Sequence, residues 1–355
     1  MTGASCNLGC PYCYVTASRR NQNRMDRHSV RTLVRNCSRG FDSIEFCWHG
    51  GEPLLAGRDF YEAVVEAQAE VQQRSKYVQY KNCIQTNGTL LNDDWLTFLG
   101  RNGFHVGFSF DAPPDVHIRL RGDNVERLLE VYSEAKRRGF PLGLLCVITD
   151  LNVRRGAEIF EFCLKVGANS YSLLPLKQVP LDNRPAPPTN DDLFDLYRTT
   201  FDLWARTQNE ISCIEPITTF IASLLGERPR ACSFASSCLK RMITIDQNGN
   251  VVPCSSLVNP EFVLGNIFQE PLDAILHSTR AAHYGKLRTR AVSNYCAGCD
   301  FLTICRGGCR ADAYWHTKSF DGAYPYCGAR KQTFRYLQNK LNHLVNDDSM
   351  NIAAE

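Results

Sequence analysis

The chain has 355 residues, of which 44% are hydrophobic and 22% are charged, and its formal net charge is +3. These values are ordinary for a globular protein with a sizeable core, and so small a net charge does not favour a nucleic-acid or membrane partner. No run of about 18 consecutive apolar residues is present, and no signal peptide precedes Cys6. The sequence therefore predicts a cytoplasmic protein that binds neither nucleic acid nor membranes.

Strand and helix patterns alternate along the first half of the chain. The predicted strands are 43–48, 80–85, 105–111, 141–149 and 170–176, and the predicted helices are 27–37, 60–74, 93–101, 124–139 and 156–167, the first with Asp26 as its N-cap. This alternation predicts a parallel sheet, either open or closed into a barrel. A barrel needs one more strand, which we expect just before Cys6. Only five residues precede Cys6, so that strand is either trimmed or degenerate.

The second half of the chain differs in composition and in its predicted elements. A segment rich in Pro, Asn and Asp at 178–191 predicts a linker or lid, and helical patterns follow at 191–208 and 216–226. The Asn-Gly pair at 248–249 lies between alternating apolar residues and predicts a hairpin. The predicted units are a first domain at 1–177, a linker with connecting helices at 178–231, a cysteine-rich domain at 232–327, and a C-terminal helix and tail at 328–355.

The chain contains 17 cysteines, an unusual number for a protein without secretion signals. Disulfides are rare in a reducing compartment, so clustered cysteines indicate metal binding or catalysis. Six stand apart from the clusters and are interpreted as small buried hydrophobic residues: Cys37, Cys47, Cys83, Cys146, Cys163 and Cys213. The spacing of the other eleven carries the functional argument.

Three of those eleven lie within eight residues, at Cys6, Cys10 and Cys13, with Tyr12 beside the last. Thiolates suit iron–sulfur clusters, zinc and copper(I). Three thiolates on one loop can hold three corners of a four-iron cluster and leave the fourth iron open to a small molecule. The alternative is a zinc site with a distant fourth ligand, although this spacing is not usual for a zinc ribbon.

This loop resembles the signature of the radical S-adenosylmethionine (SAM) enzymes. The resemblance implies an α/β fold, a partial (β/α)6 barrel, in which SAM binds the open iron and yields a 5′-deoxyadenosyl radical that abstracts hydrogen. Further segments match the family at the ends of successive strands, namely GGEP at 50–53, QTNG at 85–88 and SFDAP at 109–113, followed by His117 and Arg121. The SAM-binding residues implied in this way are Tyr12, Gly50, Gly51, Glu52, Pro53, Gln85, Asn87, Ser109, Asp111 and Arg121.

Seven of the remaining eight cysteines, all but Cys232, resemble the SPASM extension of radical SAM peptide modifiers, and Cys232 is an eighth that precedes them. The resemblance implies two auxiliary four-iron clusters, and so three [4Fe-4S] clusters in all. Cys232, Cys238, Cys254 and Cys309 would hold the first auxiliary cluster, and Cys296, Cys299, Cys305 and Cys327 the second. The alternative is a zinc-ribbon domain. Fully ligated clusters suit electron transfer better than substrate activation.

The whole pattern follows the anaerobic sulfatase-maturating enzymes closely, including WHGGEPLL at 48–55. In that group an Asp follows the cysteine that matches Cys254, and it is the proposed base for oxidising a sulfatase Cys or Ser to formylglycine. Here Ser255 occupies that position, and a serine is not an effective base at neutral pH. No residue is therefore assigned as the catalytic base.

Because of Ser255, the leading hypothesis is a different peptide modification. We expect hydrogen abstraction from a ribosomally made precursor peptide and formation of a side-chain cross-link of cyclophane or ether type. The first alternative is formylglycine formation in a sulfatase. The second, from another class, is a non-catalytic metal-binding module. The expected partners are the peptide and a reductant such as flavodoxin or ferredoxin.

Overall fold

The computed structural model of the chain describes residues 1–15, 24–177, 184–207, 210–229, 231–235, 238–239 and 241–352, and within 287–294 and 343–352 it describes the backbone alone. Part of the predicted linker, residues 178–183, lies outside the described residues. None of the described helices is long and apolar enough to cross a membrane.

The first half of the chain forms one sheet of six parallel strands in the order β1-β2-β3-β4-β5-β6. The strands are β1 (Ser43–Trp48), β2 (Gln79–Thr86), β3 (Phe104–Ser109), β4 (Gly143–Ile148), β5 (Ser170–Pro175) and β6 (Cys213–Glu215). Spatial order follows chain order throughout, as in a barrel wall built from successive βα units. The predicted α/β class with a parallel sheet is confirmed.

Helices connect these strands along the sheet. They are α1 (Arg27–Cys37), α2 (Arg58–Arg74), α3 (Asp93–Arg101), α4 (Pro114–Arg121), α5 (Val125–Arg137), α6 (Gly156–Lys165), α7 (Asn190–Trp204) and α8 (Ile217–Leu224). Asp26 is the N-cap of α1, as predicted, since its Oδ1 accepts a hydrogen bond of 2.7 Å from the Ser29 amide. The sequence did not predict α4, although His117 and Arg121 were singled out as site residues.

The two faces of the sheet differ in burial. In β3, Phe104, Val106 and Phe108 are buried in the core, whereas His105 is exposed. Side chains alternate along a strand, so one face packs against the helices and the other is left accessible. A parallel sheet covered by helices on both faces would be apolar throughout. The uncovered face is therefore available for a ligand.

The extra strand expected before Cys6 is replaced by two features. The sixth regular strand is β6, at the opposite edge beside β5, within a region for which only helices were predicted. Beside the end of β1, residues 2–5 form no regular strand but make backbone hydrogen bonds from Thr2 N to His49 O (3.1 Å) and from Glu52 N to Ser5 O (2.8 Å), and Gly3 forms an isolated antiparallel bridge with Arg24.

The C-terminal part contains a small antiparallel sheet and several helices. Its elements are β7 (Thr244–Ile245), β8 (Asn250–Val252), β9 (Gly265–Asn266), α9 (Leu272–Leu276), α10 (Thr279–Cys296), α11 (Leu302–Cys305), α12 (Arg310–Thr317) and α13 (Cys327–Ile352). β7 and β8 form the predicted hairpin, and Gly249 in its turn has a φ of +81°. Such a positive φ strains any residue with a Cβ, which accounts for the Asn-Gly pair.

The cysteine-rich part is joined to the barrel by an aromatic core. The rings of Phe220 in α8 and Phe334 in α13 lie 5.1 Å apart, and Phe234 lies 5.7 Å from Phe220. All three are buried. The hydroxyl of Tyr326 also donates a hydrogen bond of 2.6 Å to the carbonyl of Leu176, directly after β5. These contacts set the cysteine-rich part against the carboxyl ends of the barrel strands.

The close backbone approach at Gly51 gives a testable prediction. A Cβ at Gly51 would lie 1.9 Å from the Ser5 carbonyl oxygen, whereas a Cβ at Gly9 would have no atom within 4 Å. We expect Gly51→Ala to lower the free energy of unfolding by about 1–3 kcal/mol, because backbone atoms cannot yield as a side chain can. The thiols of the metal-free chain at Cys6, Cys10 and Cys13 should then react faster with an alkylating reagent. Gly9→Ala, in the same loop, is the matched control, and equal behaviour of the two variants would contradict the prediction.

Candidate functional site

The three-cysteine loop lies at the carboxyl ends of the strands, ahead of α1. Cys6, Cys10 and Cys13 are all half-buried, and the Cys13 amide donates to the Cys10 carbonyl at 3.1 Å. The Cys6 sulfur accepts from the Leu8 amide at 3.4 Å and from Asn87 Nδ2 at 3.9 Å. The loop therefore folds back on itself and is held from the end of β2.

Glu52 joins the segments that the sequence singled out. Its carboxylate is 2% exposed and accepts from Thr86 Oγ1 at 2.7 Å, from the Asn87 amide at 2.8 Å and from the Leu54 amide at 3.0 Å. Burial raises the pKa of Glu52, although the hydrogen bonds from Asn87 and Thr86 oppose that shift. The GGEP and QTNG segments are thus linked by the hydrogen bonds of one buried carboxyl group.

Asn87 extends this connection to the cysteine loop. Its Nδ2 donates to Asn7 Oδ1 at 2.9 Å, and Asn7 Nδ2 donates to Thr89 Oγ1 at 2.8 Å. Asn7 directly follows Cys6 in the chain. The loop is therefore positioned from two directions, by the backbone of residues 50–52 and by the turn after β2.

Asp111 gathers three groups around a fully buried carboxylate. Its Oδ2 accepts from the Tyr12 hydroxyl and, at 2.8 Å, from Arg121 Nε, and its Oδ1 accepts from the Val147 amide at 2.9 Å. The Arg121 guanidinium lies 5.6 Å from the centre of the Tyr12 ring. Burial, opposed by the charge of Arg121, raises the pKa of Cys10 to about 11. The residues after β3 and in α4 thus reach the cysteine loop through Tyr12.

His117, Gln85 and Ser109 complete this part of the site. The Asp111 amide donates to Nδ1 of His117 at 3.2 Å, and Gln85 Nε2 donates to Ser109 Oγ at 2.9 Å. Burial lowers the pKa of His117 to about 4, so its ring is neutral and can accept that bond. The structure brings together all of the residues that the sequence assigned to SAM binding, at one end of the sheet.

The first cysteine set (Cys232, Cys238, Cys254 and Cys309) lies near the barrel mouth. Burial raises the pKa of Cys309 well above its usual value, and Asp312, Cys254 and Cys232 contribute through their charges. Cys254 and Cys309 pack against the same small buried cluster of Leu257, Tyr284 and Ala311, and Cys232 lies near enough to affect the pKa of Cys309 through its charge. Sequence had proposed this grouping from resemblance alone.

The second cysteine set (Cys296, Cys299, Cys305 and Cys327) lines a single cavity together with Arg310 and Arg330. Arg330 Nη1 donates to the Cys305 sulfur at 3.6 Å, and its Nη2 donates at 2.9 Å to Ser233 Oγ, next to the first set. Thiolates are the ligands of iron–sulfur clusters, and hydrogen bonds to sulfur tune their potentials. Four thiols in a cavity that is also lined by Arg310, Arg330 and Lys331 fit such an anionic cluster.

Within the described residues, no three Cys, His, Asp or Glu side chains converge on a point where a single metal ion would sit. In a four-iron cluster each thiolate binds a different iron, so convergence on one point is not required. The chemistry of the donor sets, soft thiolates in groups of three and four, fits iron–sulfur clusters at all three places.

Sequence reasoning missed Lys177, which lies between the loop and the first cysteine set. Its Nζ donates to Ser256 Oγ at 2.5 Å and lies 5.1 Å from the centre of the Tyr14 ring. Tyr14 follows Cys13, and Ser256 is two residues after Cys254. One lysine among 40 basic residues carries no signal of such a position. Arg330 was detectable in principle, since it lies three residues after Cys327 on the same helix face.

His49 is a second group near this point. Burial lowers the pKa of His49 to about 3, with further contributions from the Met1 amino group and from Lys177. Its imidazole is therefore neutral at physiological pH. Sequence placed His49 in the WHGGEPLL match but gave it no role.

Comparison with known proteins supports the two-part organisation. A family model for the radical SAM superfamily matches residues 2–163, and the SPASM model, an iron–sulfur cluster-binding domain, matches residues 232–300. The serine-type anaerobic sulfatase-maturating enzyme of Bacteroides thetaiotaomicron is 26% identical over 94% of this chain and 87% of its own length. The cysteine-type anaerobic sulfatase-maturating enzyme of Clostridium perfringens is 26% identical over 97% and 96%.

The fold is shared with a solved structure of native anSMEcpe that contains bound AdoMet and the Cp18Cys peptide. The two chains superpose with a TM-score of 0.85 over 98% of this chain and 97% of the other, at 23% sequence identity. Iron–sulfur clusters and SAM are implied by the two matched domains.

These comparisons correct the functional expectation drawn from Ser255. The leading hypothesis, a side-chain cross-link in a ribosomally made peptide, is wrong, because relatives aligned over nearly the whole chain are sulfatase-maturating enzymes. The alternative drawn from the sequence, oxidation of Cys or Ser to formylglycine, has the better support. A missing Asp at one position was a weaker indicator than similarity along the whole chain.

The buried pair of Asp111 and Arg121 gives a prediction for stability. The side chains are 0% and 11% exposed. We expect Asp111→Asn to lower the free energy of unfolding by about 3–5 kcal/mol, because the guanidinium is left without its counter-charge. Glu130→Gln is the control, since Glu130 is 71% exposed and pairs with Arg127 on the surface; its cost should stay within about 0.5 kcal/mol. Chemical denaturation measures both, and equal midpoints would refute the assignment of Asp111 as an organising group.

Proposed function

Because this chain carries a radical SAM domain followed by a SPASM domain and is a radical SAM oxidoreductase, we propose that it is an anaerobic sulfatase-maturating enzyme. Its reaction would oxidise a cysteine or serine side chain of a sulfatase to the aldehyde of formylglycine. The proposal is supported by the relatives named above, which align over nearly the whole chain.

The observation that carries the proposal is the proximity of the first cysteine set to the three-cysteine loop. Conversion of CH2–SH or CH2–OH to the aldehyde level removes one hydrogen atom, one electron and one proton. With cysteine, the resulting thioaldehyde exchanges its sulfur for a water oxygen and releases hydrogen sulfide. Tyr14, Lys177 and Ser256 connect the loop to the segment after Cys254. A substrate carbon held there would lie near the residues that would hold SAM and near those that would hold the first auxiliary cluster.

The proposal requires one group that removes a hydrogen atom and others that remove an electron. Three [4Fe-4S] clusters would meet this requirement, one on the loop and one on each cysteine set. SAM at the loop cluster would supply the radical that takes the hydrogen atom. The second set, linked to the first by Arg330, would pass the electron onward. The reductant would be a small electron carrier such as flavodoxin or ferredoxin, and the peptide substrate would be a segment of a sulfatase.

The SAM-binding roles are proposed from the residues that the structure gathers at the strand ends. Gly50 and Gly51 let the backbone come close to the ligand. Glu52 already accepts three hydrogen bonds, and a carboxylate has room for a fourth from the SAM ammonium group. Arg121 donates a hydrogen bond from Nε to Asp111. Its Nη1 and Nη2 atoms can bind the SAM carboxylate.

Other members of the set act by holding these groups. Asp111 uses both oxygens for Tyr12, Arg121 and Val147, so we assign it to positioning rather than to direct contact with SAM. Asn87 holds the loop at Asn7. Gln85 and Ser109 bond to each other on the uncovered face, where they can orient a ribose. Pro53 follows Glu52 and starts a short helical turn.

Removal of the loop thiolates tests the radical assignment. We expect the variant with Cys6, Cys10 and Cys13 all changed to Ala to retain about eight of about twelve irons, because both auxiliary cysteine sets keep their ligands. Formation of 5′-deoxyadenosine from SAM should be lost. Iron analysis and chromatography of the SAM products measure the two quantities. Continued SAM cleavage by this variant, or zinc in place of iron in the unchanged chain, would contradict the assignment.

The aldehyde product tests the proposed reaction. Reduced enzyme with SAM should convert a sulfatase-derived peptide into a product that reacts with a hydrazine probe. Mass spectrometry should show replacement of the target side chain by CHO. A matched peptide with Ala at the target position is the control. A product that lacks two hydrogens and does not react with hydrazine would refute formylglycine formation.

A further inference from the structure

A cation lies beside the segment in which the sulfatase-maturating group carries its Asp. Ser255 and Ser256 follow Cys254, and Ser256 Oγ accepts its hydrogen bond from Lys177 Nζ. Lys177 lies two residues beyond the end of β5, at the barrel mouth. The substrate side chain must reach this same point if it is to lie between the loop and the first cysteine set.

The lysine is charged in its surroundings. Burial opposes the charge, but Tyr14, Asp312, Cys254 and Cys309 more than offset that effect, so the pKa of Lys177 is raised. His49, a further titratable group near it, is neutral. Lys177 thus places a positive charge between the Tyr14 ring and Ser256 Oγ.

Lys177 is not needed to hold the segment after Cys254. The indole Nε1 of Trp315 donates a hydrogen bond of 2.7 Å to the backbone carbonyl of Ser256, and the Leu257 amide donates to the Cys254 carbonyl at 2.9 Å. Ser256 and Leu257 are both buried. The ammonium group therefore adds charge to a segment that is already fixed.

We propose that Lys177 determines substrate specificity by pairing with the target cysteine as its thiolate, so that cysteine is preferred over serine. This assignment rests on the proposed function. A thiol has a pKa of about 8.5, and an adjacent opposite charge lowers the pKa of such a group by about 1–3 units. The thiol proton passes to water on binding, and no oxidant or reductant takes part in that step. A serine hydroxyl is far too weak an acid to ionise in this way.

The pairing also accounts for the absence of the Asp. A substrate that binds already deprotonated needs no general base for its sulfur. A serine substrate would still need one, and neither Ser255 nor Ser256 can supply it. Lys177 and the two serines are thus parts of one arrangement suited to a substrate that binds as a thiolate.

Equilibrium binding of paired peptides tests the assignment without turnover. Two sulfatase-derived peptides that differ only in Cys or Ser at the target are titrated into the SAM-loaded, unreduced enzyme between about pH 6 and 9. For the Cys peptide we expect affinity to rise about tenfold or more as pH rises toward about 8.5 and then to level off, because the bound thiol has a lower pKa than the free thiol. The Ser peptide should show no such rise. A flat profile for the Cys peptide would overturn the assignment without recourse to any variant.

Variants separate charge from structure. Lys177→Met should abolish the pH-dependent gain and reduce the preference for Cys in kcat/KM about tenfold or more, whereas Lys177→Arg should keep the gain. Lys340→Met is the control, since Lys340 is exposed and lies over the Tyr336 ring in α13. Thermal melting and iron content confirm that each variant is folded.

The outcomes distinguish the two proposals. If the unchanged enzyme forms aldehyde and Lys177→Met keeps both the preference and the pH profile, the role of Lys177 is refuted and the function stands. If the unchanged enzyme forms aldehyde from neither peptide, the proposed function falls, and this assignment falls with it.

Discussion

The carboxyl group of Glu52 is the interaction on which the rest of the site depends. It accepts two backbone amides and one hydroxyl in a place closed to water, while its own amide donates to Ser5 just ahead of the first cysteine. Buried polar groups of this kind are costly unless fully paired, so their geometry is well defined. The loop, the end of β1 and the end of β2 consequently share one frame. The second frame, around Asp111, meets the first at the cysteine loop through Tyr12.

This arrangement separates two tasks that a radical oxidation must perform. One group of residues holds the molecule that takes a hydrogen atom, and another holds the thiols through which an electron leaves. The parallel sheet makes this possible because all of its strands end on the same side, where loops of different origin meet. Lys177 enters the same space from β5 and brings charge to it.

Local sequence patterns predicted strands β1 to β5 of the barrel well, but they predicted the two edges of the sheet, β6 and residues 2–5, poorly. The alternation of apolar strands and amphipathic helices is strong from β1 to β5, and Asp26 and the Asn248–Gly249 turn carry signals that depend only on their immediate neighbours. β6 has three residues, too few for a period to appear, and residues 2–5 pair only because Gly50 and Gly51 permit a close approach. The grouping of the cysteines into donor sets came instead from the family resemblance, because Cys254 and Cys309 are 55 positions apart and spacing alone does not pair them.

What the sequence could not supply was the meaning of contacts between distant segments. Lys177 and Ser256 are 79 positions apart, and neither residue is unusual by itself. The functional hypothesis failed for the same reason. It inferred from the absence of one Asp that formylglycine formation was absent, without knowledge of which residues lie beside that position. The positive charge that faces that position becomes apparent only when β5 and the segment after Cys254 are placed together.

The aromatic contacts of α13 and of Tyr326, the residue before it, limit where two such proteins can be recombined. Phe334 packs on Phe220 of the barrel's connecting helices, and Tyr326 bonds to the carbonyl that follows β5. The barrel and the cysteine-rich part are therefore not interchangeable modules, because specific contacts join them. A transplanted cysteine-rich half would have to bring its own terminal helix and match the host strand, so the natural crossover point lies within the connecting helices rather than at the first auxiliary cysteine.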